Sequence, residues 1–117
     1  MDVRKYEIRS CCLIQIKSIK ALLQTYRDKQ IVPYKIQTNY AAAPRDETIF
    51  DSLNLYVEIK DESVIVLTGV IKYWTPNEWS DKSCVLCTFQ SLDSCITWFR
   101  NESEAANICA EILDRNC

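Results

Sequence analysis

The chain has 117 residues, with 14 Lys or Arg, 16 Asp or Glu and a formal net charge of −2. It holds no histidine and one glycine, which excludes Ser-His-Asp and Cys-His nucleophile systems, histidine metal sites and the glycine-rich loops that cradle phosphates. Hydrophobic residues at 48% are enough for a core and charged residues at 26% argue against disorder, so one globular domain over residues 1–117 is expected.

Met1-Asp2-Val3-Arg4-Lys5 is charged, and no apolar run with a small-residue cleavage site follows it. That pattern points to a cytoplasmic protein without membrane spans, whose seven cysteines stay reduced. The odd cysteine count agrees with free thiols. Charge is uneven along the chain: residues 1–45 carry nine basic and three acidic side chains, and residues 46–117 carry five and thirteen.

Residues 5–16 alternate, with Tyr6, Ile8, Ser10, Cys12, Ile14 and Ile16 on one face of an expected strand. Ile19, Leu22, Leu23 and Tyr26 then recur at helical spacing, which predicts a helix over 17–29; a helix starting nearer Ser10 is the competing reading. Residues 31–39 read as an edge strand, because Pro33 cannot donate to a ladder. Residues 40–48 form a loop around Pro44.

Residues 52–60 alternate cleanly, with Leu53, Leu55, Val57 and Ile59 to one side. Asp61-Glu62-Ser63 is a turn. Residues 64–74 are apolar on both faces and predict a central, covered strand, with a bulge at Gly69. Residues 75–83 read as a loop, and 84–89 with 95–99 as a hairpin around Gln90 to Ser94. Asn101 with Glu104 resembles a capping box opening a helix over 102–115, whose apolar stripe is Ala105, Ile108, Cys109, Ile112 and Leu113. The expected fold is α+β: a mostly antiparallel sheet of five to six strands with an N-terminal and a C-terminal helix packed on it.

The segment CITWFRNESEAANICAEIL, residues 95–113, resembles the last strand and helix of pleckstrin-homology-like and EVH1-like adaptor domains. The resemblance implies, as an alternative, a small barrel closed by a C-terminal helix and a binding function. The N-terminal elements depart from that pattern.

Cys84-Val85-Leu86-Cys87 is the sharpest motif. A zinc site needs a second pair at similar spacing, and a redox pair needs a helix N-terminus. On a regular strand, positions three apart face opposite sides, so the thiols are expected to diverge and pack as small apolar groups. The carboxylates Asp46, Glu47, Asp51, Asp61 and Glu62 fall in loops and turns and form no acid/base pair. No catalytic residue, metal ligand or cofactor is therefore assigned.

Two candidate binding surfaces remain. Tyr73, Trp74, Glu78, Trp79 and Asp81 combine aromatic anchors with acidic groups, as a site for a basic protein partner would. This is the leading expectation: a non-catalytic protein-binding module, such as a small acidic inhibitor, an immunity-type protein or an accessory subunit. Lys17, Lys20, Arg27, Lys29 and Lys35, interleaved with Tyr26, Tyr34 and Tyr40, form the alternative, a nucleic-acid surface. A thiol or metal-site protein comes third.

Overall fold

The computed structural model describes residues 3–29, 35–37, 52–60, 64–74 and 78–116. Elements follow the order α1 (Val3–Asp28), β1 (Lys35–Gln37), β2 (Ser52–Lys60), β3 (Val64–Trp74), β4 (Trp79–Phe89), α2 (Leu92–Trp98) and α3 (Glu102–Asn116). The described strands make one open antiparallel sheet in the order β1-β2-β3-β4. The fold is α+β, with four described strands and three helices in place of the expected five to six strands and two helices. An open sheet also replaces the alternative barrel.

The first correction is at the N-terminus, where one helix covers the expected strand 5–16 and the helix after it. Ile8, Cys11, Cys12, Gln15, Ile16, Ile19 and Leu23 are buried, which is the i, i+3, i+4, i+7 stripe of a helix. The alternating set is split instead, with Tyr6 55% and Ile14 49% exposed. Gln15, the polar member of the stripe, is only 1% exposed and explains itself by its bonds. Its Nε2 donates to the Leu53 carbonyl at 2.6 Å, and its Oε1 accepts from the Leu55 N–H at 2.7 Å. The β2–β3 ladder is unbroken over these residues, so both backbone groups point away from β3. The amide of Gln15 thus acts as a strand neighbour and ties α1 to β2.

Among the described strands β1 lies at the edge, where the expected edge strand 31–39 falls; Pro33 and the expected loop 40–48 lie outside the described residues. β2 and β3 occupy the expected ranges, and Leu53, Leu55 and Val57 are buried with Ile65, Leu67 and Ile71 opposite. The turn 61–63 between them is outside the described residues. β3 is central. Ile65, Leu67, Gly69 and Ile71 on its helix-facing side are buried, while on the other side Val66 and Thr68 are buried and Val64, Val70 and Lys72 are half-exposed.

Gly69 carries no bulge: it pairs directly with Leu55 and Cys84. A Cβ there would lie 3.0 Å from Leu113 Cδ2, 3.2 Å from Leu86 Cδ1 and 3.3 Å from Leu55 Cδ2. A side chain there would fit only if the ends of these three leucines gave way by a few tenths of an ångström, so the glycine eases the close approach of α3 to the sheet. The irregularity falls one step away, between Leu67 and Thr68, and its extra residue is Leu86 on β4.

Residues 95–99 form no hairpin strand. Leu92, Cys95, Ile96 and Phe99 fall at i, i+3, i+4 and i+7, and the last three are buried by α2 and its C-cap rather than by a strand. Ser91 caps α2, its Oγ accepting from the Ser94 N–H at 3.1 Å. Asn101 caps α3 as expected: its Oδ1 accepts from the Glu104 N–H at 3.1 Å, and its Nδ2 donates to the Glu104 carboxylate at 3.3 Å. α3 runs antiparallel to α1, with Lys5 paired to Glu111 and Lys20 to Glu102. Two basic residues of the first half therefore meet two acidic residues of the second across this helix pair.

Candidate contact surface

The segment expected as a loop over 75–83 is largely strand. β4 starts at Trp79, and its first residues extend the hairpin: Trp74 pairs with Trp79, Tyr73 with Ser80, and Lys72 with Asp81. Residues 75–77 lie outside the described residues. The alternation that marks a half-buried strand is missing here because little core lies beneath. Asp81, Lys82 and Ser83 are exposed and Ser80 is half-exposed. Charged side chains suit an edge strand, since they discourage further pairing.

All five expected residues thus fall within a few register steps of the hairpin end. Trp74 and Trp79 stand directly opposite, about 5 Å apart by the spacing of antiparallel strands. Glu78 and Asp81 are exposed beside them, and Asp81 makes no ion pair among the described residues.

The basic set is not gathered in the same way. Lys17 and Lys29 are exposed, at separate points along and after α1. Lys20 is held by Glu102 at 3.4 Å, and Arg27 Nε lies 3.6 Å from its neighbour Asp28. Lys35 sits on β1, with Nζ 4.2 Å from the centroid of the Tyr56 ring. Tyr26 packs on the core, and Tyr34 and Tyr40 are outside the described residues.

The cysteine pair departs from the expected divergence. Because Leu86 is the extra residue of the bulge, Cys84 stands opposite Gly69 and Cys87 opposite Leu67. Both partners face the helices, so the two half-buried thiols share that side. Cys12, Cys95 and Cys109 are buried within the same core. Burial pushes the Cys95 and Cys109 thiols up to about 12, with a further rise from the nearby Cys87 in each case. Burial also raises Cys12 and Cys87. Thiols held protonated in this way are poor nucleophiles. Among the described residues, no group of three or more Cys, Asp or Glu is placed to hold a metal ion. Cys117 lies outside the described residues.

A cleft of about 290 Å³ lies at the α2–α3 junction, lined by Thr97, Trp98, Arg100, Asn101, Glu104, Ala105 and Ile108. It becomes visible only once 92–98 is a helix, and the i, i+3, i+4, i+7 spacing from Leu92 was the signal for that.

No described helix is long and apolar enough to cross a membrane. Compared with protein-family models, curated proteins and solved structures, the chain matches none.

Proposed function

We propose that this protein is a non-catalytic protein-binding module, of the kind of a small acidic inhibitor, an immunity-type protein or an accessory subunit. The observation that carries the reading is the direct pairing of Trp74 with Trp79 at the hairpin end, beside exposed Glu78 and Asp81. Tryptophan anchors supply large contact area at low entropic cost, and acidic groups at their rim steer a basic partner. The raised thiol pKa values and the absence of histidine support a non-catalytic role. A nucleic-acid role for the α1 basic residues has weaker support, since carboxylates engage Lys20 and Arg27.

The test is affinity capture from cells of the native source, with the parent chain and the Trp79→Ala and Asp81→Lys variants compared. A partner retained by the parent, lost with Trp79→Ala and weakened by Asp81→Lys or by added salt fits the reading. Identical capture by all three would remove the hairpin as the contact surface.

A further inference from the structure

The α2–α3 cleft lies at the far end of β4 from the Trp74–Trp79 pair. Ten strand steps separate Trp79 from Phe89, about 33 Å at the usual rise. Its wall is preformed. Trp98 contacts Phe89 with ring centroids 5.4 Å apart and Phe99 edge-on at 5.3 Å, and Phe99 is fully buried. Its floor is apolar: Ala105 is buried, but Ile108 is left 37% exposed. A rigid aromatic beside an uncovered aliphatic side chain can take up a large apolar group with little ordering cost.

The charges of the cleft are not equivalent. Glu104 is committed to the helix cap through both its N–H and its carboxylate, each bonded to Asn101. Arg100 is exposed and makes no ion pair among the described residues. The cation of the cleft is thus uncommitted, and a guanidinium is suited to a planar carboxylate. A polyanion does not fit, because Arg100 is the only cation of the lining and the Glu104 carboxylate lies beside it. The volume, near the lower end for ligand pockets at roughly 300 Å³, has room for one large side chain rather than an extended ligand.

We propose that the cleft binds the C-terminal residue of a peptide, its large apolar side chain against Trp98 and Ile108 and its free carboxylate on Arg100. This is a second surface and does not depend on the hairpin reading.

The test is a two-dimensional NMR titration of the full ¹⁵N-labelled chain with N-acetyl-glycyl-phenylalanine and, separately, with its C-terminal amide. The expected result is saturable shifts of the Trp98 indole N–H and of the Arg100 and Ile108 amides. The amide should bind about tenfold more weakly, the discrimination expected of one charge-assisted contact. Arg100→Gln, an exposed substitution, should bring the two ligands to equal affinity. Ile108→Ser should weaken both. Absence of saturable shifts with either ligand, shifts centred elsewhere, or equal binding of acid and amide to the parent chain would overturn the proposal.

Discussion

The two ends of β4 are both rich in aromatic residues, yet the chain treats them differently. At Phe89 the strand leads into a capped helix that returns over the sheet, and Phe89, Trp98 and Phe99 close together, Phe89 and Phe99 being 6.5 Å apart between centroids. At Trp79 the strand pairs with Trp74 of β3, and Asp81, Lys82 and Ser83 beyond it are exposed. Aromatic content alone therefore does not mark the packed end of the strand. What decides is whether a helix covers the strand, and at the Trp79 end of β4 the exposed Asp81, Lys82 and Ser83 mark where cover ends.

Destabilisation should fall from the packed end of the molecule to the open one. Phe99→Ala removes a fully buried ring from the packed end and should cost about 4 kcal/mol, measured by urea unfolding. A much smaller loss would mean that α2 is loosely held.

Gln15→Leu comes next. It keeps the volume but leaves the Leu53 carbonyl and the Leu55 N–H without the amide that satisfies them, at a cost of about 3 kcal/mol. Gln15→Glu sharpens the point through pH. A protonated carboxyl can reproduce both bonds, whereas a buried carboxylate repels the Leu53 carbonyl, so its pKa should rise on folding. The stability it retains at low pH should then be lost as pH rises above the unfolded value of about 4.3. Equal unfolding midpoints at pH 4 and pH 7 for this variant would deny the clamp.

Gly69→Val lies midway. Its side chain would press on Leu113, Leu86 and Leu55, and overpacking of this kind costs about 2 kcal/mol. The ends of those leucines are the groups that must yield, so Gly69→Ala should cost less than Gly69→Val in the same unfolding series.

The sequence made the middle of the molecule legible and its flanks less so. β2 and β3 alternate or run apolar without interruption, and turn residues bound them, so their ranges match at 52–60 and 64–74. α3 was readable from its cap at Asn101 and its stripe. α1 was obscured because Gln15 interrupts its apolar stripe, while the exposed Tyr6 and Ile14 complete a false alternation. α2 was obscured by Ile96, Thr97, Trp98 and Phe99, residue types that favour strands until tertiary packing overrides them. β4 began earlier than expected because its first residues pair without burying a face. The five aromatic and acidic residues of the hairpin were legible as a cluster, but the register that sets Trp74 against Trp79 was not. The bulge at Leu86, which turns Cys84 and Cys87 to one side, leaves no local signature, since it depends on the partner strand.

The most direct measurement sets one tryptophan against the other. Urea unfolding of Trp79→Ala and Trp98→Ala should give a loss within about 1 kcal/mol for the first, as for a surface substitution. The second should lose about 2 kcal/mol or more, because Trp98 is half-buried against Phe89 and Phe99. If Trp79→Ala destabilises the chain as much as Trp98→Ala, the hairpin end is part of the core and is not a contact surface.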